Sequence, residues 1–130
     1  MNVLIVDYGI GNVSSVKNMI KKVGGNALIS NKPEEIIKAD KLILPGVGHF
    51  DYGMQMLKKL NLINPLNSFA LKLKKPVLGI CLGAQLLGKR SEEGNEKGLG
   101  WLDMECIKFL PSKKYKVPNM GWAKVTIKTT

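Results

Sequence analysis

The sequence predicts an α/β protein built on a mostly parallel sheet. Short apolar runs that end in glycine recur along the chain, as in "NVLIVDYGIGN", "KLILPGVG" and "KPVLGICLG". Stretches with helical spacing of apolar residues separate them, and alternation of this kind favours parallel strands joined by helices. At 130 residues and 45% apolar content, the chain has the length and composition of one globular domain with a real core.

The elements follow in order. "NVLIVD" at 2–7 reads as a buried strand closed by the glycine turn "YGIGN". Val13, Val16, Met19, Ile20 and Val23 then recur at helical spacing, with Asn12 or Ser14 as cap and Gly24 and Gly25 as stop. "NALIS" at 26–30 is a second strand candidate. "KPEEIIKA" carries proline and two acids in its first turn, as a short helix should. "KLILPGVG" repeats the strand-then-glycine pattern, and helices are expected over 50–60 and 64–73. "PVLGI" is the next strand and "LGAQLLGK" the next helix. After Arg90 the polar, glycine-rich "SEEGNEKGLG" reads as a loop. "WLDMECIKFL" and "WAKVTIKTT" read as strands with a proline-bracketed turn between them.

Composition narrows the function classes. No apolar run approaches the roughly 20 residues that span a bilayer. The start reaches Asp7 without a basic segment, so no secretory signal is expected. Two cysteines, Cys81 and Cys106, make no disulfide framework, and a cytoplasmic location is the simpler reading. One histidine and two separated cysteines make no metal-ligand set. The net charge of +10 comes from scattered lysines, clustered only at 72–75 and 113–116. No aromatic stripe accompanies them. A solvated lysine surface fits better than an acidic or phosphorylated partner, and nucleic acid fits least.

Ligands of open parallel sheets bind beyond the carboxyl ends of the strands, where "YGIGN", "PGVGHF" and "GICLGAQ" all fall. Within the last, Gly79-Ile80-Cys81-Leu82-Gly83 has the form of a nucleophile elbow with a thiol at its centre. A tight strand-to-helix turn strains its central residue and crowds the positions two before and two after, hence glycine at both. The sulfur then stands above the sheet edge at a helix N-terminus, with the Leu82 N–H aimed where an oxyanion would form. The segment 45–48, "PGVG", can bring a second backbone N–H. Gln85 shares the helix face of Cys81, about one turn on, and Glu92 or Glu93 can receive a substrate ammonium. A cysteine nucleophile usually needs a base. The sole histidine, His49, sits in another loop before a helix that Asp51 helps to start, and a helix-start role suits it better than catalysis. A buried cysteine packed like alanine is the plain alternative for Cys81. For Cys106 a place in the core of a strand is expected.

"VDYGIGN", "ILPGVGHF", "KPVLGICLGAQLL", "SEEG" and "VPNMGW", in this order, resemble the class I glutamine amidotransferases over the whole chain. Among these they are most similar to the glutaminase subunits of imidazole glycerol phosphate synthases. The resemblance implies a flavodoxin-like, doubly wound, mostly parallel sheet, here incomplete at the C-terminus, with residues 1–130 the N-terminal portion of the amidotransferase domain. It implies Cys81 as nucleophile on the carboxamide of glutamine, with Val47 and Leu82 as oxyanion donors. Gly46, Gln85 and Glu93 match positions that hold glutamine. Asn12 and Trp122 match the face toward a (β/α)₈-barrel synthase, the heterodimer partner that receives the ammonia. No cofactor, metal, nucleic acid or membrane enters this chemistry.

The sequence departs from the family in two ways. The catalytic His-x-Glu of the family has no counterpart in these 130 residues, so the chain reads as an N-terminal fragment without a base and with negligible glutaminase activity. Asn119 and Ala123 stand where the family usually has His and Asn. This opens a second destination, a paralogue feeding ammonia to a sugar amidotransferase of surface-polysaccharide synthesis. Cysteine hydrolases that share the elbow place histidine directly after the nucleophile, where this chain has Leu82. A non-catalytic flavodoxin-like module binding phosphate at "YGIGN" is a further rival, weakened because the loop lacks G-x-G-x-x-G spacing.

Overall fold

The computed structural model describes residues 2–110, 117–118 and 121–128. The departure at Asn119 lies outside them. Four strands form one parallel sheet: β1 (Val3–Val6), β2 (Ala27–Ser30), β3 (Lys41–Gly46) and β4 (Val77–Cys81), in the order β2-β1-β3-β4. This is the flavodoxin-like doubly wound order, in which the chain reverses direction across the sheet between β1 and β3.

The helices are α1 (Val13–Lys22), α2 (Pro33–Lys38), α3 (Phe50–Lys59), α4 (Ile63–Asn67) and α5 (Leu82–Leu86). The first three start for local reasons. The Asn12 side chain accepts the Ser15 N–H at 3.0 Å and caps α1. Pro33 opens α2, with Glu34 and Glu35 in its first turn. His49 Nδ1 accepts the Asp51 N–H at 3.2 Å at the start of α3. The expected helix over 64–73 is α4 running into a π-helical turn at Ser68–Lys72.

Alternation along the strands sorts the core. Leu4 and Val6 of β1 and Leu42 and Leu44 of β3 are buried in one cluster with Ile36 of α2, Phe50, Met54 and Leu57 of α3 and Leu82 and Leu86 of α5. Ile5 points to the opposite face, where α1 lies against β1 and β2. Burying a Leu, Ile or Phe side chain is worth about 1.5–3 kcal/mol, so this cluster dominates the stability.

The region after Arg90 departs from expectation. Of "WLDMECIKFL" only Glu105–Cys106 forms a strand, β6, paired in parallel with β5 (Arg90–Ser91). Residues 122–128 form no strand. An extended segment becomes a strand only by completing a ladder, and among the described residues 107–110 and 122–128 have no ladder partner. Phe109, Leu110, Val125 and Ile127 are all more than 80% exposed, with no sheet to pack against.

Candidate functional site

Cys81 ends β4 and opens α5. Its φ is +54° and ψ −118°, a left-handed conformation that L-residues other than glycine rarely hold and that costs about 1–3 kcal/mol. The flanking glycines are obligatory in this geometry. A Cβ on Gly79 would lie 2.5 Å from the Ala84 Cα, and one on Gly83 would lie 1.8 Å from the Leu44 carbonyl oxygen. The turn is therefore strained at its centre and crowded two residues to either side, as the spacing requires. The Cys81 side chain is exposed.

The end of β3 lies directly beside it, because Gly46 is the ladder partner of Cys81. A Cβ on Gly46 would come within 2.8 Å of the Gly83 nitrogen and 2.6 Å of the Tyr8 hydroxyl. Val47 projects outward, 64% exposed, and Gly48 follows with φ +109°. The Leu82 N–H belongs to the first turn of α5, where backbone donors have no intrahelical acceptor.

A cavity of about 230 Å³ opens above the thiol. Cys81, Leu82, Gln85 and Glu93 line it together with Gly48 and Glu92. Its far wall is Ser91, Cys106, Ile107 and Lys108. It is smaller than the clefts of roughly 300–1,000 Å³ that take drug-sized ligands, and suits a small polar molecule. Gly46 and Val47 flank the cavity and do not line it. Asn12, at the start of α1, and Trp122, fully exposed, lie apart from it.

The Glu93 carboxylate makes a bond that the sequence does not announce. Its Oε2 accepts the Phe50 N–H at 2.9 Å, one of the free donors at the start of α3. The loop is latched further by Asp51, whose carboxylate accepts the Asn95 N–H at 3.0 Å and the Glu96 N–H at 2.8 Å. These two bonds hold its carboxyl below the usual carboxylate range. Gly94 must be glycine for this, since a Cβ there would lie 2.1 Å from Asp51 Oδ1.

The far wall was not visible in the sequence. Cys106, expected in a strand core, is half-buried and faces the same cavity as Cys81, because β6 is two residues long and borders the opening. Partial burial pushes its thiol pKa up. The one available signal was charge. Arg90 and Glu105 are ladder partners joined by a 2.7 Å hydrogen bond, and Lys89 pairs with Asp103. Among the described residues no cluster of three or more His, Cys, Asp or Glu could hold a metal.

A family model described as the SNO glutamine amidotransferase family matches residues 8–109 of the chain. The chain belongs to this family. Two curated relatives are named "Imidazole glycerol phosphate synthase subunit HisH 2". The one from Pseudomonas aeruginosa is 52% identical over 124 residues, covering 95% of this chain and 61% of the relative. The one from Methanococcus maripaludis is 57% identical over 120 residues, covering 92% and 59%. The chain thus spans about three fifths of the length of the curated relatives it matches. Among solved structures, a glutamine amidotransferase crystal structure superposes with a TM-score of 0.64 at 21% identity, covering 78% of this chain and 54% of the other. That likeness supports the fold alone. For a glutamine amidotransferase, the elbow at Cys81 and the glycines of 45–48 are the parts with chemistry to explain.

Proposed function

We propose that this chain is the nucleophile-bearing part of a cytoplasmic glutaminase subunit of the imidazole glycerol phosphate synthase type, acting in histidine biosynthesis. The observation that carries the reading is the strained, exposed Cys81 opening into a small cavity with Gln85 and Glu93. The Cys81 sulfur attacks the carboxamide carbon of glutamine. The carbonyl oxygen takes up the negative charge, and the N–H groups of Leu82 and Val47 stabilise it. Collapse of the tetrahedral adduct expels ammonia and leaves a γ-glutamyl thioester, which water cleaves to glutamate.

The cavity also suits an α-amino acid. The Glu93 carboxylate attracts the ammonium, Lys108 on the far wall complements the α-carboxylate, and the Gln85 amide hydrogen-bonds the substrate near the sulfur. Gly46 leaves room for the oxyanion strand to lie against the elbow. His49 is engaged at the start of α3 and supplies no base in this reading, so a base from outside these 130 residues completes the cycle. Ammonia passes to a (β/α)₈-barrel synthase that meets the face bearing Asn12 and Trp122.

A chloroketone analogue of glutamine tests this. Peptide mass spectrometry is expected to find the adduct on Cys81, with L-glutamine slowing its formation. Unmodified Cys81 after prolonged exposure, or labelling that glutamine does not slow, would overturn the reading.

A further inference from the structure

We propose that Tyr8 is a positioning residue for the oxyanion strand, its hydroxyl clamping the Pro45–Gly46 backbone against the Cys81 elbow. The inference rests on the glutaminase reading above and gives a task to "YGIGN", the glycine loop that the reaction itself leaves unused.

Tyr8 follows β1 and is 0% exposed; with Ile10 it turns into the core, while Gly9 and Asn12 of the same loop are exposed. Its hydroxyl donates to the Pro45 carbonyl at 2.6 Å, within the core and across 37 positions of sequence. That is the short end of the normal range for an O–H···O bond. Pro45 has no N–H, so its carbonyl is the one polar backbone group this residue brings to the strand end. The same phenol oxygen would lie 2.6 Å from a Cβ on Gly46. The Gly83 nitrogen and Leu82 Cβ of α5 would stand at 2.8 and 2.9 Å from that Cβ. The hydroxyl therefore sits where the end of β3 meets the first turn of α5.

The loop braces Gly46 from another side as well. A Cβ on Gly11 would lie 3.1 Å from the Gly46 nitrogen, and Gly9 and Gly11 hold φ values of +80° and +96°. Gly9 N–H also donates to Asp7 Oδ1 at 3.2 Å, closing the turn on itself. The peptide before Gly46 is thus fixed by a buried hydrogen bond and by two close backbones. The peptide after it, which carries the Val47 N–H, is aimed by that fixation. Burial pushes the phenol pKa well up, and the neighbouring Cys81 adds to the effect, so the hydroxyl keeps its proton and remains a donor at neutral pH.

Tyr8→Phe removes the hydroxyl and keeps the ring, which separates clamping from packing. Two alkylating probes read the result at Cys81. Iodoacetamide reacts with the sulfur by direct displacement and needs no oxyanion. The chloroketone holds its ketone oxygen where the oxyanion would form while the Sγ–C bond forms, chloride leaves and the thiol proton passes to buffer.

The expected outcome is an unchanged iodoacetamide rate with a chloroketone rate lowered about tenfold, less than the 10²–10³ lost when an oxyanion donor is deleted outright. A ratio of the two rates within about twofold of the unsubstituted protein would overturn the proposal. Tyr8→Met, which removes the hydroxyl and refills much of the ring's space with a flexible side chain, is expected to lower the same ratio and covers the case in which Tyr8→Phe does not fold. An unsubstituted protein that resists the chloroketone instead contradicts the glutaminase reading, so the two failures are distinguishable.

Discussion

Gly83→Ala is the sharpest test of the elbow. The new Cβ would lie 1.8 Å from the Leu44 oxygen, 2.7 Å from the Leu44 carbonyl carbon and 3.1 Å from the Pro45 carbonyl carbon. Carbon and oxygen in contact stand about 3.3–3.6 Å apart even in a weak C–H···O arrangement, so β3 and α5 must separate by roughly 1.5 Å. All three obstacles are backbone atoms of a central strand, and no rotamer change relieves them. Overpacking costs about 1–3 kcal/mol where side chains can yield, and this site belongs at or above the upper end. A loss of about 3 kcal/mol in a chain of this length lowers the melting temperature by roughly 10–15 °C.

Gly24→Ala is the matched control. It sits at φ +85° with nothing within 4 Å of the added Cβ, so it isolates the conformational cost of about 1–2 kcal/mol. Thermal unfolding followed by circular dichroism measures both. If Gly83→Ala costs no more than Gly24→Ala, the close approach of α5 to β3 is wrong, and with it the placement of Cys81.

Three further outcomes follow from the same geometry. Cys81→Gly should be more stable than Cys81→Ala by about 1 kcal/mol in urea unfolding, because glycine alone relieves the strain at φ +54°; equal stabilities would mean the turn is not strained. Asp51→Asn should destabilise the protein at neutral pH. The folded carboxyl is held below its ordinary value by the Asn95 and Glu96 N–H groups, so its contribution is present above about pH 4 and fades as pH falls through the folded value. The gap between the parent and Asp51→Asn should therefore close on acidification, and a gap that widens would refute the latch. The chain alone should release ammonia from glutamine at a rate roughly 10²–10⁴-fold below a base-complete glutaminase, and turnover near complete-enzyme levels would show that His49 or another of these 130 residues serves as base.

What could be read from the sequence was what depends on local rules. The strand-then-glycine junctions at 7–12, 45–48 and 79–83 each carry hydrophobic period and turn chemistry within one short window, and all three fall at strand ends. The caps at Asn12 and His49 are local for the same reason. The missed parts are set by long-range contacts. β5 and β6 are two residues each, too short for any period, and their pairing places Cys106, Ile107 and Lys108 at the cavity. The expected final strand failed because alternation specifies a face but does not supply a partner. Glu93 is expected to receive a substrate ammonium, and nothing local announces that its carboxylate also bonds a backbone N–H 43 residues away. Tyr8 was read as part of a turn because its buried hydrogen bond spans 37 residues.

The elbow shows why its strain persists. A left-handed cysteine works against folding by about 1–3 kcal/mol, and three crowded glycines contribute no side chain to the packing. The opposing contributions lie within five residues: Leu82 and Leu86 of α5 are essentially fully buried, each worth about 1.5–3 kcal/mol, and both touch the space above Gly53 of α3. The helix that follows Cys81 is too short to be stable by itself. It exists because its leucines are drawn into the core, and that pull requires the chain to turn at the cysteine. The strain is thus a by-product of anchoring α5 tightly, and the β3 ladder at Gly46 fixes the other side. The backbone that presents the thiol is held in one conformation before any substrate arrives. That is the condition under which backbone N–H groups stabilise an oxyanion without having to reorganise.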